Sequence, residues 1–415
     1  MPRITACVLC GGGWLETILD MGEMPLPNRL PLPSDPPPDA AYPLRLVLCR
    51  SCGLLQLGDA VPPEEMFADY PYATGASAQL RAHFGALART IWDRENLRAG
   101  HLVVDVGSND GTLLSEFAAL GLLVKGIDPA ANLAALAAER GVPTEATYFD
   151  EEVGRRHRGL ARVVMATNCL AHAADPPSFL RGVAAMLAPD GVFVAEVPYA
   201  WRLVDGHLWD TVYHEHRCYF GLAPLVRALP ALGLRLVDAE IVDVHGGSLR
   251  LWARRARAFG QRESPRVAAI LGAETMRAPA SPASYQPFAA TCLLQRAATR
   301  MALMDLPGAS LVAGFGASAK ASVLLNWCAL GPETVAWVAD ANPLKQGRAI
   351  PGVRVPIVPE RRLAEDAPSH VVDFVWNLAD DSRVKLGALC PEARIVRLRP
   401  SVRIEEPGED DIGLA

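Results

Sequence analysis

At 415 residues the chain is longer than the ~250–300 at which a single core stops growing, so two or three domains are expected. Half of its residues are apolar and 21% are charged, an ordinary globular composition, and the formal charge of −6 excludes nucleic-acid binding as the main activity. No stretch reaches ~18 uninterrupted apolar residues, so no membrane-spanning helix is expected, and a cysteine pair stands where a leader would need its apolar run; the chain reads as cytoplasmic.

The chain opens with two C-x-x-C knuckles, Cys7-Val8-Leu9-Cys10 and Cys49-Arg50-Ser51-Cys52, each followed by glycine. Four thiolates on two tight turns suit tetrahedral zinc with no open coordination position, hence a structural metal. The interval between the knuckles exceeds the usual ribbon spacing of ~15–20, and a redox dithiol pair or unpaired thiols are the competing readings. Pro25, Pro27, Pro31, Pro33 and Pro36-Pro37-Pro38 argue against a helix in that interval. The other five of the nine cysteines stand singly in apolar surroundings and read as reduced core thiols.

From His101 strands and helices alternate. Strands are expected at His101–Gly107, Leu122–Asp128, Ala161–Ala166 and Gly191–Val197, which predicts a parallel sheet covered on both faces. Leu234–Ile241 and Gly247–Ala253 read as an antiparallel hairpin at its edge. Arg254–Leu306 reads as connecting helices. A second α/β unit follows, with strands at Ser310–Gly314, Val335–Asp340, Val371–Trp376 and Ala393–Leu398. The acidic tail is expected to fray.

Each α/β unit begins with a glycine turn. In the first, Gly107-x-x-x-Gly111 lets the backbone turn sharply after the strand, and Asp128 closes the next strand, where a carboxylate accepts both ribose hydroxyls of an adenosine. The turn lacks the G-x-G-x-x-G spacing that sets a helix N-terminus against pyrophosphate, which favours a cationic sulfonium cofactor over NAD. In the second, Gly314, Gly316 and Ala319 do satisfy that spacing, with Asp340 ending the next strand, so a dinucleotide remains possible there. Lys320, Lys345 and Arg348 around it suit instead the diphosphate of a nucleotide-linked substrate, or are solvated surface charges.

Several segments together resemble the sugar C-methyltransferases: Val104-Asp105-Val106-Gly107-Ser108-Asn109-Asp110-Gly111-Thr112, Asn168-Cys169-Leu170-Ala171-His172, Val212-Tyr213-His214-Glu215-His216, His245-Gly246-Gly247-Ser248-Leu249-Arg250, Gly314-Phe315-Gly316-Ala317-Ser318-Ala319-Lys320, Asp340-x-x-Pro343-x-Lys345-Gln346-Gly347 and Trp376-Asn377. The resemblance covers nearly the whole chain, cysteine pairs included. It implies a zinc-binding lobe over 1–65, a class I methyltransferase Rossmann-like domain over 66–275, a second Rossmann-like, nucleotide-sugar-binding domain over 276–405 and an acidic tail over 406–415. It further implies S-adenosylmethionine as cofactor, a structural zinc on Cys7, Cys10, Cys49 and Cys52, and C-methylation next to the ketone of a dTDP-linked 4-keto-deoxysugar, as in the biosynthesis of a branched sugar of a natural product. The C-terminal glycine turn is then not an NAD site.

A saturated carbon beside a ketone becomes nucleophilic only when a proton leaves, so the chemistry needs a base and a donor at the enolate oxygen. His216 is the base implied by the resemblance, and an imidazole titrates near working pH. Tyr213 is expected as donor or auxiliary base, Glu215 to orient an imidazole or bind a sugar hydroxyl, and His172 to stabilise the enolate. Asp105, Gly107, Asn109, Gly111, Asp128 and Asn168 are expected to hold the cofactor. Tyr70, Tyr72, His245, Lys320, Asn326, Lys345 and Arg348 are expected to hold the acceptor, while His214 reads as structural and His245 equally as a turn residue. N- or O-methylation of a related acceptor and an NAD-linked sugar oxidoreductase are the alternatives. A small-molecule nucleotide sugar is the expected partner, and the chain is expected to be a monomer or weak homo-oligomer.

Overall fold

A computed structural model describes residues 3–67, 70–71, 73–258, 263–306, 308 and 310–407. Tyr72 and most of the acidic tail lie outside the described residues. The chain forms two interleaved compact units: Met1–Ile18, Leu46–Leu203 and Glu215–Tyr285 make the first, and Leu19–Arg45, Val204–His214 and Gln286–Ala415 the second. Among the described residues, no helix is long and apolar enough to cross a membrane.

The chain opens with β1 (Leu15–Pro25), β2 (Ala41–Cys49) and β3 (Leu55–Leu57). The proline-rich interval between the knuckles contains no helix, in line with its composition, but two of these strands form within it. Its prolines are compatible with this because most of them fall in the loop between β1 and β2 or, as with Pro25, at a strand end.

The sheet of the first unit follows, with β4 (Leu102–Val106), β5 (Leu123–Ile127), β6 (Thr144–Glu145), β7 (Ala161–Thr167) and β8 (Leu187–Pro198). After the short β9 (Cys218–Tyr219), which pairs with β3, β10 (Leu234–Val242) and β11 (Ser248–Arg255) complete it. The order is β10-β11-β8-β7-β4-β5-β6; β4 to β8 run parallel, and β11 is antiparallel to both β8 and β10. Because β4 lies between β5 and β7, the chain leaves β4 toward one side of the sheet and β7 toward the other, the topological switch at which parallel α/β sheets bind ligands.

The helix Ala78–Glu95 begins at Ser77, whose side chain accepts the Leu80 N–H, and ends at Asn96 in the left-handed region. Leu80, Phe84, Leu87, Ala88 and Ile91 give it one apolar stripe. Phe84, Leu87, Ala88 and Ile91 of that stripe join Phe117 of the helix Thr112–Ala119 and Val103, Met165, Val192 and Val194 of the sheet in one core. Truncating the fully buried Phe117 to alanine is expected to cost ~3–5 kcal/mol.

In the second unit β12 (Val312–Phe315), β13 (Trp337–Asp340), β14 (Ile357–Pro359), β15 (His370–Asp373), β16 (Arg394–Arg397) and β17 (Arg403–Glu405) stand in the order β14-β13-β12-β15-β16-β17. The first five are parallel and β17 is antiparallel to β16. β15 stops short of the expected Trp376 because Asp373 Oδ1 accepts the Val375 N–H (2.9 Å) and turns the chain. Asp373 also receives the Ser382 hydroxyl (2.6 Å) and is ion-paired with the buried Arg397, which fastens the helix Ala379–Leu389 to the sheet.

Candidate active site and zinc centre

The four knuckle sulfurs converge on one point, all within 4.8 Å of one another, with Cys7 to Cys52 at 3.7 Å and Cys10 to Cys49 at 3.6 Å. A tetrahedron of thiolates with Zn–S of ~2.3 Å has edges of ~3.8 Å, so the donor set fits zinc. Each knuckle closes in the same way: Gly11 donates to the Cys7 carbonyl (2.9 Å) and Gly53 to that of Cys49 (2.8 Å), both glycines at positive φ. A hydrogen bond from the Cys52 thiol, chiefly, lowers the Cys7 thiol to about 5, while burial raises that of Cys10. Two separate redox pairs would not share one centre.

At the turn after β4, Gly107 (φ 72°) and Gly111 (φ 75°) lie in the left-handed region. A Cβ on Gly107 would stand 2.5 Å from that of Cys169, so the close approach of the two loops requires glycine. Asp128 is held by two backbone donors, Asn109 N–H on Oδ2 (2.8 Å) and Ala130 N–H on Oδ1 (2.9 Å), and each oxygen keeps a second lone pair for a ribose hydroxyl. Asn109 is turned elsewhere: its side-chain oxygen accepts the Thr74 N–H (2.9 Å), as Asp110 accepts that of Gly75 (2.9 Å). Asn168, at positive φ after β7, donates its N–H to the Glu196 carbonyl (2.8 Å).

Two buried atoms at this turn, Asp105 Oδ1 and Ser108 Oγ, have no hydrogen-bond partner among the described residues. Burial, reinforced by nearby Asp128, raises the Asp105 carboxyl to about 8. An orphaned buried carboxylate calls for a cation or donor, and carboxylates here repel pyrophosphate. The residues therefore fit S-adenosylmethionine, a cationic adenosyl cofactor, with Asp128 and Asp105 as the carboxylates that could hold it.

The first unit also gathers Tyr70, His172, Glu215 and His216. The Tyr70 hydroxyl donates to Glu215 Oε2 (2.7 Å). His172 stacks on Phe67 (centroids 5.6 Å apart) and on His216 (5.2 Å), and His216 meets Tyr219 edge-on (5.9 Å). Burial lowers His172 to about 4, so it is a neutral imidazole at pH 7, and its Nε2 has no hydrogen-bond partner among the described residues. Tyr213 and His214 fall in the segment that belongs to the second unit, where the His214 ring meets the Tyr42 carbonyl (Nε2 to O 3.2 Å). His245 is exposed at positive φ in the turn between β10 and β11.

Sequence reasoning missed three features of this site. Phe67 extends the imidazole stack, and Asn132, on the helix after Asp128, clasps the Tyr70 backbone by donating to its carbonyl (2.9 Å). The third is Glu196, fully buried, bound by His83 (2.9 Å) and Arg250 (2.6 Å). A lone acid in the apolar run Val192–Val197 was a legible signal for the last, whereas Phe67 and Asn132 carry none.

In the second unit, Asn326 gives its amide hydrogens to the Ser322 (2.8 Å) and Pro351 (2.9 Å) carbonyls, and Arg348 donates to that of Leu30 (3.0 Å). Lys345 donates to the Ala317 carbonyl (2.8 Å) and lies 3.6 Å from Asp340. Lys320 differs: its ammonium lies 5.7 Å from the Trp376 ring centre, pairs with no carboxylate among the described residues, and has its pKa lowered by burial.

Three family models match in chain order: a zinc binding domain over residues 7–67, a methyltransferase domain over 79–239 and a C-methyltransferase C-terminal domain over 243–391. The chain is 37% identical to C-methyltransferase NovU of Streptomyces niveus over 385 residues, 91% of each chain. It is 33% identical to a ubiquinone biosynthesis O-methyltransferase of Methylobacterium nodulans over 176 residues, 38% of this chain and 67% of that one. Among solved structures, magnesium protoporphyrin IX methyltransferase of Synechocystis PCC 6803 aligns at 18% identity and TM-score 0.35, covering 42% of this chain and 83% of that one.

Proposed function

The chain belongs to the S-adenosylmethionine-dependent C-methyltransferases with an N-terminal zinc lobe, and we propose that its acceptor is a nucleotide-linked 4-keto-deoxysugar, methylated at the carbon next to the ketone in making a branched sugar. The observation that carries this reading is the His172–His216 stack beside the Tyr70–Glu215 pair, which supplies a base, a neutral donor and a hydroxyl acceptor in one place. The cofactor, when bound at the β4 turn, supplies the electrophilic methyl group that an enolate carbon takes up.

His216 removes the proton next to the ketone, and its imidazole serves because its ordinary pKa lies near neutrality. His172, uncharged, donates an N–H to the oxygen on which negative charge develops. Glu215, held by Tyr70, accepts a ring hydroxyl, and Tyr213 assists at the enolate. Lys320 meets the anionic nucleotide. On this reading the enzyme works in the cytoplasm on a small molecule.

Incubation with S-adenosylmethionine and a panel of dTDP-4-keto sugars in deuterated water tests the assignment. Gain of a methyl group with exchange at the adjacent carbon supports it, whereas methylation on oxygen or nitrogen replaces it. In His216→Asn exchange and methylation should fall together, by ~10²–10⁴-fold. Normal exchange without methylation in that variant would move the base to Tyr213 or His172.

A further inference from the structure

The segment Val204–His214 leads directly into Glu215 and His216, and it is fixed by a buried polar network within the second unit. Asp210, 1% exposed, accepts Arg399 Nη2 on Oδ1 (2.8 Å) and the Trp376 indole N–H on Oδ2 (2.7 Å). Arg399 Nη1 also donates to the His207 carbonyl (2.9 Å) and to Gln295 Oε1 (2.7 Å), and its guanidinium lies 4.6 Å from the Trp209 ring centre. The Trp209 N–H reaches the same Gln295 oxygen (3.2 Å). A buried carboxylate satisfied by a charged fork and an indole rigidifies what it holds, and here it holds the residues just before Tyr213.

Trp376 has a second contact. Its ring carries the Lys320 ammonium, on the first turn of the helix Ala319–Trp327 that follows the glycine turn after β12. One indole therefore touches both the cation proposed to meet the nucleotide and the carboxylate that fixes the Tyr213 segment. We propose that Trp376 and Asp210 are positioning residues that link the Lys320 turn to the Tyr213 segment, so that binding of the anionic handle is used to raise kcat and not only to lower KM. The inference rests on the acceptor reading given above.

The test uses the full-length enzyme with saturating S-adenosylmethionine and one keto sugar in two forms, linked to a nucleoside diphosphate and carrying a 1-phosphate alone. The wild type should turn over the nucleotide-linked form with the higher kcat. Trp376→Phe keeps the ring beneath Lys320 and removes the N–H. It should lower kcat for the nucleotide-linked form by about ten- to a hundredfold, leave both KM values unchanged and bring the two kcat values together. Trp376→His, which restores a ring N–H, should recover part of the difference. A folded Trp376→Phe enzyme that keeps the wild-type kcat ratio overturns the inference alone, and so does a loss proportional to the unfolded fraction. A wild type that methylates neither form overturns the acceptor reading and the inference with it.

Discussion

After β4 the chain turns through Gly107 and Gly111 beside two carboxylates, Asp105 and Asp128; after β12 it turns through Gly316 beside two ammonium groups, Lys320 and Lys345. Both turns end a central parallel strand of their sheets and start a helix. Each turn has a glycine at positive φ just after its strand, Gly107 and Gly316, but the first carries the orphaned carboxylate of Asp105, whereas the second adds two ammonium groups, of which Lys345 lies 3.6 Å from Asp340. The glycines let neighbouring segments pack closely, Cys169 against Gly107 and Val375 against Gly316. On the proposed function, the carboxylates of the first turn face a cationic adenosyl cofactor and the lysines of the second face a phosphorylated handle.

The largest expected effect falls on the acidic turn. Asp128→Ala should weaken S-adenosylmethionine binding by ~1.5–3 kcal/mol, roughly ten- to 150-fold, and leave the acceptor KM unchanged. Calorimetry with the cofactor and steady-state kinetics with the acceptor separate the two; equal losses in both would end the division of labour.

A smaller effect comes from Asp105. Its folded-state pKa of about 8 lies above the ordinary carboxyl value, so the apo fold is favoured by the protonated form below about pH 4, and that stability is lost as pH rises through 8. A cation bound beside it prefers the ionised form. Cofactor affinity should therefore rise by up to about tenfold per pH unit below 8 and level off above, with proton release seen as a buffer-dependent heat. Asp105→Asn should flatten the profile; a flat wild-type profile would remove the cation from this position.

The smallest effect belongs to the basic turn. Lys320→Ala should raise KM for the nucleotide-linked acceptor about fivefold, near 1 kcal/mol, without changing cofactor affinity. Added salt should mimic it for the acceptor alone. A cofactor affinity that falls with salt to the same degree would contradict the contrast between the turns.

The features legible in the sequence were those determined by local pattern. Apolar runs ending in glycine or aspartate marked β4, β5, β12 and β13, and so placed Asp105 on β4 with Gly107 and Asp128 just after β4 and β5. β1 and β2 were hidden because proline content reports where a helix cannot form, not where an extended chain can. Tyr70 meets Glu215 and Asp210 meets Arg399 across long stretches of chain, and such pairs leave no periodic trace. The same holds for Phe67, an ordinary aromatic until the fold sets it on His172.

The interleaving of the two units bears on how this protein can be taken apart. The chain passes from one unit to the other after Ile18, Arg45, Leu203, His214 and Tyr285, so neither unit corresponds to a contiguous stretch of gene. A fragment ending at Tyr285 carries the zinc ligands, the cofactor turn and His216, yet it also carries Leu19–Arg45 and Val204–His214 stripped of the rest of their unit, with Asp210 deprived of Arg399 and Trp376. Shuffling acceptor specificity by exchanging everything after that residue would sever the same bonds. Chimeras of these enzymes should therefore keep residues 204–214 and the C-terminal unit from the same parent.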